Sequence, residues 1–224
     1  VEVAVGGSFH YLPGDERHPL LQVAGAIGIN PLFSILKHCW EVAEAGMPSS
    51  SSSAGSSIQT GQSATALNHP AAAGVAAAHR APPHAALLYS ASVPAELAFR
   101  QELEQLQAQG GGSIRLQLHA TAPEWRGRDA EWGGHWGRIG RPQLQAALQW
   151  LLGRCTEAAF AAGDPSSATI ATSRSCCGSG SSGEPAAAAV AALVCGPAAM
   201  EDAVVADLLS LGLHREHIRF ERWW

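Results

Sequence analysis

Short apolar runs of strand length alternate along the chain with segments whose apolar residues recur at helical spacing. Pro19 to Ala24 reads as a buried strand. Asn30-Pro31 then opens a helix, with Asn as N-cap and Pro at the first helical position. Leu32, Ile35, Leu36 and Cys39 or Trp40 form the apolar face of that helix, which runs to about Ala45. Ala85 to Ser90 (AALLYS) predicts a second strand. Pro94 to Gln109 predicts a helix with Leu97, Leu103 and Leu106 inward, an acidic first turn and a stop at Gly110-Gly111-Gly112. Ile114 to His119 alternates as a third strand, and a loop from Thr121 to Gly140 leads into a helix from Arg141 to Leu152. The apolar run ending in Cys195-Gly196-Pro197 gives the fourth strand. Glu201 to Leu211 is a helix stopped by Gly212, and His217 to Glu221 is a fifth strand.

The order β-α-β-α-β-α-β-α-β predicts an α/β fold: a doubly wound, five-stranded parallel sheet of order 3-2-1-4-5 with helices on both faces. Ligands of such sheets bind at the C-terminal ends of the strands. Two stretches stand outside the pattern. Residues 46–84 and 153–185 are rich in Ser, Ala and Gly and poor in large apolar side chains, so they cannot offset their ordering entropy and are expected to be disordered inserts. Val1 to Val5 alternates into Gly6-Gly7-Ser8-Phe9-His10-Tyr11 like the last strand and turn of a preceding unit. The expected division is therefore residues 1–18 as the end of another domain with its linker, and residues 19–224 as one domain.

Charge narrows the partners. The chain of 224 residues has a net charge of -5 with its Lys and Arg scattered, which gives no footprint for nucleic acid or an anionic membrane. No apolar run reaches the roughly 18 residues of a membrane span, so a soluble chain is expected. Cys39, Cys155, Cys176, Cys177 and Cys195 form no CxxC pair and no His-spaced pattern, and no metal site is expected. Their odd number argues against a disulfide framework. His119 and His135 read as strand-end or loop residues rather than ligands. No Ser-His-Asp or paired-carboxylate arrangement follows from spacing.

Two turns carry the candidate chemistry. Gly25-Ala26-Ile27-Gly28-Ile29-Asn30-Pro31 follows the first strand, and Cys195-Gly196-Pro197 ends the fourth. Each is a strand opening onto a helix start, which sets backbone N–H groups against a phosphate. Neither is the GxGxxG fingerprint. The predicted strand order nevertheless makes the two turns neighbours, as a dinucleotide site requires.

Taken together, AGAIGINPLFSIL, LLYSASVPAELAFRQELEQL, GRIGRPQL and LVCGPAAMEDAVVADLLSLGLHREHIRFERWW resemble the nicotinamide-nucleotide-binding domain of the ferredoxin-NADP reductase-like flavoenzymes. The resemblance covers most of the chain outside the two inserts. It implies an NAD(P)H-dependent flavin oxidoreductase in which a β-barrel holds FAD and this domain delivers hydride from nicotinamide to the flavin. Gly25, Gly28, Ile29 and Pro31 then match the pyrophosphate turn, Ser90 and Ser92 the adenosine ribose contacts, and Thr121 a residue lining the cleft. Cys195, Gly196 and Pro197 match the motif whose thiol lies beside the nicotinamide. Glu221 and Trp223 match a terminal Glu-x-aromatic pattern that covers the flavin.

Departures qualify what the resemblance implies. The family's flavin-binding Arg-x-Tyr-Ser motif has no counterpart, so the chain reads as a fragment that is inactive alone. No Arg or Lys stands between Ser90 and Leu97 to pair with a 2′-phosphate. That favours NAD(H), with NADP(H) kept open by Arg100. The electron acceptor is unknown, and the resemblance suggests a mitochondrial location. The competing reading is a nucleotide-binding or interaction module without electron transfer.

Overall fold

The computed structural model describes residues 9, 18–45, 84–129, 131–161 and 190–222. The expected barrel remnant up to Tyr11 apart from Phe9, most of both expected inserts, Cys176, Cys177, Trp223 and Trp224 lie outside the described residues.

Among the described residues the strands are β1 (Leu20–Gly25), β2 (Ala85–Ala91), β3 (Ile114–Ala120), β4 (His135–Trp136), β5 (Ala191–Gly196) and β6 (Ile218–Arg222). The helices are α1 (Ile29–Ala45), α2 (Arg100–Gln109), α3 (Arg141–Ala161) and α4 (Ala198–Ser210). Every pairing is parallel, in the order β4-β3-β2-β1-β5-β6. The sheet has six strands rather than five. The extra member is the two-residue edge strand β4, too short and glycine-flanked to show an alternating pattern, and without it the order is the expected one.

Because the sheet is covered on both faces, its central strands read as continuous apolar runs; β1 and β2 are buried throughout. On one face Leu20, Ala24, Leu87 and Tyr89 pack with Leu32, Leu36 and Trp40 of α1 and Leu103 of α2. On the other, Leu21, Val23, Leu88 and Val194 pack with Leu144, Leu148 and Leu151 of α3 and Val204 and Leu208 of α4. A chain that leaves β1 toward β2 and β3 and returns on its other side at β5 is doubly wound. Its switch point lies between β1 and β5.

Three element boundaries correct the sequence expectations. The first helix is entered at Ala26 through a 3-10 turn that hands over directly to Ile29, so Asn30 lies inside α1 instead of capping it. The helix expected from Pro94 is broken in two. A 3-10 turn, Pro94–Glu96, is followed by Phe99 in the left-handed region (φ 57) before α2 begins. Tertiary contacts impose that break, since the Phe99 ring stacks on Phe33 with centroids 4.5 Å apart and the Tyr89 hydroxyl accepts the Ala98 N–H at 3.1 Å. Finally, α3 continues to Ala161, so residues 153–161 are helix and not insert. A lone Gly153 costs a helix about 1 kcal/mol and does not end one amid good helix formers.

Candidate functional site

At the C-terminal edge of the sheet a cavity of about 290 Å³ opens over the switch point. Gly25 and Ala26 from β1 and its turn, Ser90, Ala91 and Ser92 from β2, Thr121 after β3, Arg138 and Ile139 after β4, and Pro197, Ala199, Met200 and Ala203 of the α4 start line it.

The glycines at its floor answer to close packing. A Cβ on Gly196 would lie 3.0 Å from the Gly25 Cα, and one on Gly25 would lie 2.8 Å from the Pro197 ring. The ends of β1 and β5 therefore approach more closely than any side chain permits. Met200 fills the remaining space, its methyl 2.6 Å from where the Gly196 Cβ would stand. Ala26, the next residue of the turn, is held left-handed at φ 48, which a non-glycine residue adopts at a cost. Ile27, which follows in the turn, is 73% exposed.

Hydroxyls and helix geometry supply the polar groups. Ser90 Oγ donates to the Ala24 carbonyl at 3.4 Å, tying β2 to β1, and Thr121 Oγ1 donates to the Ala91 carbonyl at 3.2 Å. Pro197 is the N-cap of α4, and its carbonyl accepts the Met200 N–H at 2.8 Å. The N–H groups of Ala198 and Ala199, the first two residues of α4, precede any intrahelical acceptor, so the positive end of the helix stands at the cavity wall.

Of the residues named from sequence, the structure thus brings Gly25, Ser90, Ser92, Thr121 and Pro197 to one cavity, with Gly196 directly behind it. Gly28, Ile29 and Pro31 do not line it. Ile29 is fully buried in the core, and Gly28 lies against the backbone of Cys195. Cys195 is itself 0% exposed, its side chain part of the core on the α1 face. Glu221 stands opposite Cys195 in the β5–β6 register and is half-buried.

Sequence reasoning missed two residues here. Glu201, in the first turn of α4, is completely buried, and its Oε1 accepts the Gly196 N–H at 3.1 Å, which pins the strand-to-helix turn. Its position five residues after Gly196 was the available signal, a reach-back like that of a capping box. Arg138, the second, sits in a loop with no periodicity to place it.

His119, at the end of β3, is 1% exposed and stacks on His135 with centroids 4.9 Å apart. Burial, then the neighbouring His135, pulls its pKa down to about 4, against a weaker opposite pull from the Gly137 backbone. It is neutral at pH 7. No group of three His, Cys, Asp or Glu suited to a metal occurs among the described residues. None of the described helices is long and apolar enough to cross a membrane.

No protein-family model matches the chain. Among curated proteins it is 27% identical over 227 residues to "Oxidoreductase NAD-binding domain-containing protein 1" of Danio rerio, spanning all of this chain and 60% of that protein. The namesake from Bos taurus is 26% identical over 228 residues and is spanned to 52%. Among solved structures, the CS-b5R domains of human Ncb5or in the NAD+ form superpose with a TM-score of 0.52 at 14% identity, covering 95% of this chain and 39% of that one. The flavohem-like FAD/NAD-binding domain of nitric oxide dioxygenase from Vibrio cholerae gives a TM-score of 0.50 at 15% identity, covering 97% and 55%. The curated homologues of the chain are thus proteins named oxidoreductase NAD-binding domain-containing protein 1, and its neighbours of known structure are ferredoxin-NADP reductase-like FAD/NAD-binding domains.

Proposed function

We propose that the chain binds a nicotinamide dinucleotide across the ends of β1, β2, β3 and β5 and serves as the hydride-delivering domain of a flavin-dependent oxidoreductase. One observation carries the reading: the cavity over the β1–β5 switch point joins a backbone too close for side chains, three hydroxyl residues, a helix N-terminus and a cation. Those are the requirements of a ligand with phosphates and riboses. The homologues' name and the FAD/NAD-binding neighbours point the same way.

The residues present fit the dinucleotide. Gly25 and Ala26, with the α4 N-terminus, would hold the pyrophosphate, and Ser90, Ser92 and Thr121 would hold ribose hydroxyls. A bound nicotinamide supplies the hydride, and the chain's share of catalysis is to fix its position and keep water from it. Cys195 acts from inside the wall. Its fully buried side chain shapes the β5 end, and Glu221 stands next to it on β6. In this reading a flavin domain completes the enzyme, the electron acceptor is a separate molecule, and Trp223 would cover the flavin.

Titration of the chain with NADH, followed by nicotinamide fluorescence, tests the reading. Ala199 is an exposed first-turn residue of α4 on the cavity wall. Ala199→Trp should fill the cavity and reduce affinity at least tenfold while the thermal midpoint stays within a few degrees. Equal affinity in the two proteins would place the nucleotide elsewhere.

A further inference from the structure

Met200 stands where the walls of the cavity meet. It is the third residue of α4 and half-buried, and it reaches back between the ends of β1 and β5. Its sulfur lies 2.6 Å from the place a Cβ on Gly25 would take, and its methyl 2.6 Å from the corresponding place on Gly196. The thioether thus stands in for the side chains that both glycines lack.

The sulfur also meets a hydroxyl. Ser90 Oγ is 3.9 Å from Met200 Sδ and 3.4 Å from the Ala24 carbonyl, and its single proton serves one acceptor at a time. A thioether is a weak acceptor, so the carbonyl holds that proton. Access sets this sulfur apart. The free thiols of Cys39 and Cys195 are buried, whereas Met200 lines the cavity, where a solute reaches it without unfolding the chain.

We propose that Met200 is an oxidation site that closes the cavity to its nucleotide, with hydrogen peroxide as the oxidant. A lone pair of the thioether attacks one peroxide oxygen: the S–O bond forms, the O–O bond breaks, and the other oxygen leaves as water with both protons. The sulfur gives up two electrons, and the peroxide is reduced by two. The sulfoxide oxygen is a strong acceptor. It draws the Ser90 proton from the Ala24 carbonyl and takes room that a ribose would need. The proposal rests on the nucleotide reading above and adds a reversible regulation of the same cavity, since methionine sulfoxide reductases undo the modification.

The test treats the wild-type chain, Met200→Leu and Met47→Leu with hydrogen peroxide, then dithiothreitol, followed by peptide mass mapping and NADH titration. Dithiothreitol returns sulfenic acids and disulfides to thiols and leaves sulfoxides in place. In the wild type, Met200 should gain one oxygen at peroxide concentrations that oxidise free methionine. NADH affinity should then fall about tenfold or more, through the diverted Ser90 hydroxyl and the filled space, and a methionine sulfoxide reductase should restore it. Met47→Leu leaves Met200 as the only methionine and should lose and regain affinity in the same way, which keeps the test decisive even where Met200→Leu fails to fold. In Met200→Leu, affinity after treatment should equal affinity before. An unoxidised Met200, an affinity unchanged by its oxidation, or an equal fall in Met200→Leu overturns the proposal, and NADH binding by the untreated chain then leaves the dinucleotide reading standing. If the untreated chain binds no NADH, that reading fails by itself. Amide signals of Gly25, Ser90 and Gly196 then decide the modification site: displacement on oxidation of Met200 supports it, and fixed signals overturn it as well.

Discussion

Gly28 lies directly against the backbone of Cys195: a Cβ placed on it would come 2.5 Å from the Cys195 carbonyl carbon and 2.8 Å from the Gly196 nitrogen. The resemblance assigns Gly28 to the pyrophosphate turn, whereas the geometry shows it seating the start of α1 on the end of β5. The obstacle is backbone on both sides and has no flexible end to swing away. Gly28→Val should therefore destabilise the whole fold by about 3 kcal/mol or more, and Gly28→Ala by roughly 1–3 kcal/mol. Urea denaturation measures this. Wild-type stability combined with lost NADH binding would return Gly28 to the ligand side.

Arg100 is held on two sides. Its ion pair with Glu104 is an exposed i,i+4 contact, and its stacking on Trp132 occupies the face of the guanidinium. Arg100→Ala should cost no more than about 1 kcal/mol and should leave the ratio of NADPH to NADH affinity unchanged. A selective loss of NADPH affinity in that variant would mean that Arg100 leaves Glu104 to take the 2′-phosphate.

Stability should depend on the protonation of His119. Its folded pKa of about 4 lies below the ordinary 6.5, so between these values the unfolded chain takes up a proton that the fold excludes. Stability from this residue is complete above pH 6.5 and is lost as the pH falls toward 4. Replacing the ring by an apolar side chain, His119→Leu, should flatten the curve of stability against pH in that window relative to wild type. Parallel curves for the two proteins would show that His119 does not report on it.

Fold and site were legible in the sequence to different depths. Strands β1, β2 and β5 are buried apolar runs, β3 alternates, and the helices between them carry Leu at helical spacing, so the alternation and the strand order followed. Gly25, Ser90, Ser92, Thr121 and Pro197 stand at strand ends, and knowing the strands was enough to bring them together. What escaped depends on contacts between distant residues. The helix break at Phe99 exists because Phe33 and the Tyr89 hydroxyl hold it, and β4 exists because His135 and Trp136 meet the end of β3. Neither leaves a local pattern. Arg138 lines the cavity from a loop next to Gly137 and Ile139, and the role of Glu201 shows only in its bond to Gly196. In the same way Gln22, polar in the middle of a buried strand, is explained by its hydrogen bond to the Leu32 carbonyl of α1 at 3.2 Å.

The central claim is a location, the C-terminal edge of the sheet over the β1–β5 switch point, and amide chemical-shift mapping during an NADH titration tests it most directly. The account predicts saturable shifts at Gly25, Ala26, Ser92, Thr121, Arg138, Gly196 and Ala199, with Leu20, Ala85, Ile114 and Ala191 at the opposite ends of the strands unmoved. Shifts centred on that opposite edge, or none with NADH in millimolar excess, would contradict it.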